Sequence, residues 1–386
     1  MEDINNLGTI ASKYIIKEKK GYGSYGNVYL VEDTTNKAQY AAKVLIKKKD
    51  DDDYDTFQNE INILNELNRL NNPYLIRLIT SGEGIVERNN KQKTRKYIIL
   101  ENASNGELLK YVKYPNSGFI GKLEKLGKLI FYKILKGIQV IHNAGICHLD
   151  IKPDNILFDE DFNIKIIDFG YATHNQKNLK GLAGTERFMA PEILYGNYYD
   201  GFQADIFSLG VVLFSLITGS YGFYFGKIND EYYQYIAVKH YKTYWNKFPK
   251  IAEKVSEEFK ELYLKMVSYS LSYRYKTIEE IFKSAWMKEI VNMKKEELDH
   301  LETELLDELL KRKEKSDNNL QTETEEENEE SNESSSTTKA GNNENTNVFD
   351  LSLKPNFAKT GLNMDYYIKL KGDKINPAKF IFKKFY

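Results

Sequence analysis

The hydrophobic pattern of this chain changes period once, close to Glu107, and that change restricts the folds open to it. Between Tyr14 and about Lys96 the apolar residues come in short alternating runs, "YIIKEKK", "GNVYLVED" and "QYAAKVLIKK", the pattern of half-buried strands separated by turns. One stretch breaks the alternation: "FQNEINILNELNRL" places Ile61, Leu64, Leu67, Asn68 and Leu70 along a helical stripe. From Glu107 to about Met293 the runs lengthen into helical segments such as "KLGKLIFYKILKGIQVIHNAG" and "ADIFSLGVVLFSLITG". The expectation is an α+β fold in two lobes, a small antiparallel sheet with one helix followed by a larger, mainly helical lobe. A length of 386 residues agrees, since one hydrophobic core seldom extends that far.

Composition narrows the range of partners. With 41% hydrophobic residues the chain can bury a core, and a net charge of -1 gives no global attraction to nucleic acid or an anionic membrane. The single cysteine, Cys147, excludes an internal disulfide framework, suits a reducing intracellular compartment, and reads as a small core residue. Residues 1–13 carry acids and no apolar run, so they are expected as a short extension without a signal peptide, and no 18-residue apolar stretch suggests a membrane span. Beyond a domain spanning residues 14–290, residues 291–315 place Leu298, Leu301, Leu305 and Leu309 near one face of a charged helix expected to pack on the large lobe. That helix is acidic through its middle, unlike the basic helices that calmodulin takes, so tight calmodulin binding is not expected. Residues 316–347 are acidic and almost devoid of apolar side chains, the composition of a disordered linker. Residues 348–386, rich in lysine and aromatics, read as a solvated tail or a small docking module, and a monomer is the expected state.

Three groups of residues carry chemistry. The first is "GYGSYGNVYL", with Gly21, Gly23 and Gly26 in G-x-G-x-x-G-x-V spacing before Val28. Strand-like residues lie on both sides of it, which fits a hairpin folding over nucleotide phosphates better than the strand-to-helix turn of a dinucleotide site. The second is Lys43 in "YAAKVL", whose cation follows Ala41 and Ala42 in an apolar run and needs a partner; Glu60, inside the predicted helix, can supply it and hold Lys43 against the α and β phosphates. The third is "HLDIKPDNILF" followed by "IKIIDFG", an ordered set of Asp150, Lys152, Asn155 and Asp168. Transfer of a phosphoryl group needs these types: a carboxylate to accept a hydroxyl proton, a lysine to offset charge on the moving group, and two oxygen ligands for magnesium.

Together these motifs resemble the eukaryotic protein kinase family over roughly residues 14–290, and the likeness continues through "GTERFMAPE", "ADIFSLG" and "RYKTIEEIFKSAW". The resemblance implies a bilobal fold and an ATP- and Mg2+-dependent enzyme acting on protein substrates. "DIKPDN" and "GTERF" resemble the serine/threonine branch, with Lys152 and Thr185 lining the cleft, and "VSEEFKELYLKMV" is similar to calcium/calmodulin-dependent-type kinases. By the same likeness Asp150, Lys152, Lys43 and Glu60 are the catalytic residues, and Asn155 and Asp168 the metal ligands. The nucleotide site comprises Gly21, Gly23, Gly26, Val28, Ala41, Lys43, Leu100, Glu101, Ala103 and Glu107, with Leu100 as gatekeeper and Glu101 to Ala103 as hinge. Leu64, Leu78, His148 and Phe169 match the family's hydrophobic spine, Glu192 should pair with Arg274, and Asp205 should hold the catalytic-loop backbone. Glu107 and Asp154 match positions that contact upstream arginines in basophilic relatives, whereas Ser215 stands where those relatives often add a carboxylate. A mild preference for basic residues upstream of the acceptor is therefore expected, with an apolar residue after it meeting Leu182 and Met189.

One position departs from the family pattern. Leu149 replaces the arginine that typically grips an activation-loop phosphate, and Gly181 stands where the phosphorylated hydroxyl usually sits. Grip and phosphate are missing together, which points to lost regulation rather than lost catalysis. Only Tyr171 and Thr173 carry hydroxyls between Gly170 and Gly184, and Lys180 or Arg187 is the remaining candidate grip for a phosphate on Thr173. The alternative class, a pseudokinase scaffold that binds ATP or peptide without transferring phosphate, has no chemical need for Lys43, Glu60, Asp150, Asn155 and Asp168 in full.

Overall fold

Alternation in the first lobe resolves into a closed antiparallel barrel in the computed structural model, which describes residues 8–22, 26–46, 52–88, 91–113 and 118–330. Its strands are β1 (Thr9–Ile10), β2 (Tyr14–Tyr22), β3 (Gly26–Asp33), β4 (Gln39–Leu45), β5 (Leu78–Arg88) and β6 (Lys91–Glu101), in the order β1-β2-β3-β4-β6-β5. The barrel is filled by Ile10, Tyr14, Ile16, Tyr29, Val31, Ala42, Val44 and Ile99. Helix α1 (Asp52–Asn68) buries Phe57, Ile61, Ile63, Leu64 and Leu67.

Two sequence expectations need correction here. The extension at residues 1–13 is not wholly separate from the sheet, because Thr9 and Ile10 pair with β2 on one side and β5 on the other. Two residues are too few to show a period, so this strand had no readable signal. Leu70, placed on the helical stripe, is exposed, because α1 ends at Asn68 and the chain turns away.

The second lobe contains α2 (Leu108–Lys113), α3 (Glu124–Asn143), α4 (Pro191–Leu194), α5 (Gly201–Thr218), α6 (Tyr233–Ala237), α7 (Tyr241–Asn246), α8 (Pro249–Ala252), α9 (Glu257–Met266), α10 (Ile278–Phe282) and α11 (Lys288–Val291). Helix α5 is capped by Asp200, which accepts from Gln203 N, and ends at Gly219 in the left-handed region. By length and composition α5 is apolar enough to cross a bilayer, contrary to the sequence expectation, but it is buried in the lobe as a central core helix. A small sheet of β7 (Gly106–Glu107), β8 (Ile156–Phe158) and β9 (Ile164–Ile166) lies where the lobes meet, in the order β7-β8-β9. Ile166 ties the lobes together, donating to Tyr74 O at 2.8 Å and accepting from Ile76 N at 3.1 Å.

The last described element is α12 (Lys295–Glu330), which packs on α2 and α3 with Leu301, Leu305 and Leu309 buried. It runs past the expected boundary at residue 315 and through the first part of the expected linker. No glycine or proline interrupts residues 316–330, so extending a docked helix needs only propagation and no new nucleus. The rest of the expected linker, 331–347, and the tail at 348–386 lie outside the described residues.

Candidate active site

Strand alternation delivers Lys43 to the cleft. Ala42 and Val44 point into the barrel, so Ala41 and Lys43 face the other way, and the register sets Val28 opposite Lys43 and Leu100 opposite Ala41. Four expected nucleotide-site residues thus share one face. Lys43 Nζ donates to the two Glu60 oxygens at 2.8 and 2.7 Å and to Asp168 Oδ1 at 2.9 Å. Burial alone would lower the Lys43 pKa, but the two carboxylates outweigh it and hold the ammonium above its usual range. Burial raises Glu60 above the ordinary carboxylate range against the pull of Lys43, whereas at Asp168 the same cation overcomes burial and holds the carboxyl low. The sequence named the pair Lys43 and Glu60 but not the third member, Asp168.

The glycines divide. Around Gly21 the space is open, as phosphate approach requires, but a Cβ on Gly26 would lie 2.1 Å from the Val44 carbonyl oxygen, so glycine there is demanded by the neighbouring strand. Gly23 lies outside the described residues. At the hinge, the Glu101 side chain accepts from Arg77 N and pairs with Lys165 at 3.0 Å, so any nucleotide contact of Glu101 falls to its main chain. The Ala103 carbonyl accepts from Gly106 N and closes the turn into β7. Glu107 stands exposed at the end of that turn; desolvation and the nearby Asp154 carboxylate hold its carboxyl above the ordinary range.

Below the cleft, Asp205, buried near the start of α5, organises the loop that holds Asp150. It accepts from His148 N and Leu149 N, each at 2.8 Å, and meets His142 Nε2 at 2.9 Å. Leu149 and Asp168 both adopt left-handed backbone, φ 63 and 62, a conformation that costs a non-glycine residue on the order of 1–2 kcal/mol and is typical of functional sites. The His148 ring packs, tilted, 5.1 Å from that of the buried Phe169, and Leu64 and Leu78 are buried in the same core, as the spine resemblance implies.

Asp150 is the hub of the site. Its Oδ1 accepts from Thr185 Oγ1 at 2.7 Å, and its Oδ2 accepts from Lys152 Nζ at 2.9 Å and Asn155 Nδ2 at 3.0 Å. Lys152 also donates to Thr185 Oγ1 at 2.8 Å. Because the Asn155 amide nitrogen is committed to Asp150, its carbonyl oxygen is the end left to ligate a cation. Among the described residues no three His, Cys, Asp or Glu side chains converge as a metal cage. One carboxylate, Asp168, and one amide oxygen suit magnesium, which takes its remaining ligands from phosphate and water.

The segment from Asp168 to Glu192 is held by several contacts independent of any phosphate. Thr173 and Cys147 exchange main-chain hydrogen bonds at 3.0 and 2.9 Å, Leu179 and Tyr199 do so at 3.1 and 3.0 Å, and Gly201 N donates to Gln176 O at 2.7 Å. Helix α1 is tied to the same segment, since Asn59 Nδ2 donates to Ala172 O at 2.8 Å and His174 meets Glu66 at 2.9 Å. Leu149 is buried in the core of the large lobe. Lys180 and Arg187 rest on tyrosine rings, Lys180 over Tyr198 and Arg187 over Tyr221 and Tyr224. At the far end, Arg274 donates to both Glu192 oxygens at 2.6 and 3.0 Å, the pairing the sequence led one to expect. Of the two residues expected to meet an apolar side chain, Met189 is buried and Leu182 stands in solvent.

Comparison with known proteins agrees with this geometry: residues 14–287 match the protein kinase domain family. The chain belongs to that family. Similar proteins include a probable serine/threonine-protein kinase from Dictyostelium discoideum, 33% identical over 55% of this chain and 14% of its own length. CBL-interacting protein kinase 26 from Oryza sativa is 31% identical over 72% of this chain and 52% of its own. Calcium-dependent protein kinase 5 from Plasmodium falciparum is 33% identical over 71% and 45% respectively. This kinase-family chain therefore spans about half or less of the length of these relatives. Their names agree with the likeness to calcium/calmodulin-dependent-type kinases.

Proposed function

We propose that this chain is a serine/threonine protein kinase that transfers the γ-phosphoryl group of ATP to hydroxyls of protein substrates, and that it does so without a phosphate on its activation loop. The observation that carries the reading is the hydrogen-bonded set of Asp150, Lys152 and Thr185, in which a hydroxyl already lies 2.7 Å from the Asp150 carboxylate. That distance is within reach for proton abstraction. A substrate hydroxyl in the same reach gives its proton to Asp150 as its oxygen bonds to the γ-phosphorus. The bond from phosphorus to the β-phosphate oxygen breaks, and ADP leaves with the electron pair. Lys152 offsets charge on the moving group, and Lys43, fixed by Glu60, grips the α and β phosphates. Val28, Ala41 and Leu100 enclose the base beside the main chain of Glu101 to Ala103. Asn155 and Asp168 would hold Mg2+, which neutralises phosphate charge when bound.

Phosphate independence is supported by the burial of Leu149, by the main-chain bridges along the activation segment, and by the two direct links from α1 to it. Lys180 and Arg187 rest on tyrosine rings, contacts that a phosphate on Thr173 would have to displace to use either as a grip. For substrates, Glu107 and Asp154 support a preference for basic residues upstream of the acceptor, since neither has a salt-bridge partner among the described residues. Action as a cytoplasmic monomer completes the proposal.

The test is radiolabel transfer from ATP to a peptide with basic upstream residues. The enzyme is made in a host lacking related kinases, treated with phosphatase, and shown by mass spectrometry to be unmodified over residues 168–192. An initial rate close to that of untreated enzyme is expected. Activity that collapses and returns only with phosphate on Thr173 or Thr185 refutes phosphate independence, and absence of transfer from wild type and Asp150→Asn alike favours an ATP-binding scaffold.

A further inference from the structure

Arg312, late in α12, is buried beneath a part of the chain nearly two hundred residues earlier. Its Nη1 donates to Tyr111 O at 2.8 Å and its Nη2 to Gly118 O at 2.7 Å, across sequence separations of 201 and 194. Its Nε donates to Glu308 at 2.7 Å, and the guanidinium lies 4.0 Å from the Phe119 ring. Tyr111 is in the last turn of α2, so Arg312 supplies the donor that the end of that short helix lacks and brings a cation to the negative end of its dipole. At the next residue, Lys313 Nζ donates to Asn105 Oδ1 at 2.7 Å. Asn105 in turn donates to Asp159 O and Glu160 O at 2.7 and 3.1 Å, and its own carbonyl accepts from the Tyr111 hydroxyl at 2.8 Å.

These contacts bear on the active site through two short links. Asn105 joins the hinge to β7, and β7 ends on Glu107, the residue immediately before α2. β7 pairs with β8, which begins directly after Asn155. We infer that α12 is a strut for the rim of the nucleotide site, with Arg312 and Lys313 as positioning residues that fix Asn105, α2 and hence Glu107. The inference rests on the proposed kinase reading for its catalytic readout but not for its binding readout. It makes residues 295–317 part of the working enzyme, acting in support of nucleotide binding. An inhibitory appendage would have the opposite effect.

The experiment uses the full chain carrying Lys313→Met, Arg312→Met or Arg312→Lys, with Lys311→Met on the exposed side of α12 as control. Each variant is measured for ATP affinity by fluorescent nucleotide titration, for KM and kcat, and for thermal midpoint. Lys313→Met is expected to weaken ATP binding and raise its KM by about 3- to 10-fold with kcat within about twofold and at most a small drop in midpoint, less than the full worth of one charge-assisted hydrogen bond because Lys313 acts on the site only through Asn105. Arg312→Met should do the same and lower the midpoint, Arg312→Lys should restore part of the affinity, and the control should match wild type. Unchanged affinity and KM with a lowered midpoint would reduce α12 to packing, and higher kcat/KM in either variant would make it an inhibitor. Both results overturn the inference. If wild type binds ATP but transfers no phosphate, the kinase reading fails while the affinity series still decides the role of the strut.

Discussion

The Leu149 carbonyl oxygen occupies the place a Cβ on Gly184 would need: the two would lie 2.2 Å apart, and Gly184 has φ 93. The catalytic loop and the activation segment therefore touch backbone to backbone, one residue from Asp150 and one from Thr185. Gly184→Ala must push the segment away or force a strained main chain. It is expected to lower kcat by about 10²-fold or more, since displacements of about 1 Å cost that much, while ATP affinity stays within about twofold. Steady-state kinetics with nucleotide titration checks both parts.

Asp150→Asn keeps the shape of the hub and removes the proposed base. Turnover should fall on the order of 10²- to 10⁴-fold with ATP binding retained. Unchanged turnover would take Asp150 out of the role assigned to it.

Glu192 and Arg274 form a buried bidentate pair, and removing one partner strands the other's charge. Arg274→Met should destabilise the large lobe by about 3–5 kcal/mol, and Glu192→Met in the same chain should recover part of the loss. Urea unfolding of the single and double variants measures the difference.

The proposed preference for basic peptides should depend on pH. Because the Glu107 carboxyl is held above the ordinary range, it takes up its proton at higher pH than a typical glutamate does, near roughly 4.3. As pH falls from neutral, Glu107 loses its charge early, and the kcat/KM advantage of an arginine-containing peptide over its alanine counterpart should shrink. Asp154→Asn removes a repelling carboxylate and should move that decline to lower pH, and Glu107→Gln should flatten it. Equal pH dependence in all three proteins would detach Glu107 from peptide selection.

Much of the site was readable because its parts are named by local motifs. Lys43 with Glu60, Asp205 under His148 and Leu149, and Glu192 with Arg274 all follow from short stretches whose partners the family pattern supplies. The contacts that escaped have no local pattern. Arg312 sits in a run of charged helix residues that looks solvated, and its burial depends on carbonyls far away in sequence. Thr9 and Ile10 are too short a strand to alternate, and Gly26 looked like a ligand-facing glycine until the Val44 carbonyl was placed beside it. The acidic stretch after residue 315 is almost devoid of apolar side chains, which argues against a packed domain but not against lengthening a helix already anchored.

The long reach of Arg312 also sets an order of events at the ribosome. Chains emerge at roughly 5–20 residues per second, so the 201 residues between Tyr111 and Arg312 correspond to roughly 10–40 seconds of synthesis. During that interval the end of α2 is made but its donor is not. Most of that interval is spent making the large lobe, which ends near residue 287, so the edge of α2 is finished only after the rest of the domain has emerged and the strut is among the last parts of the enzyme to dock.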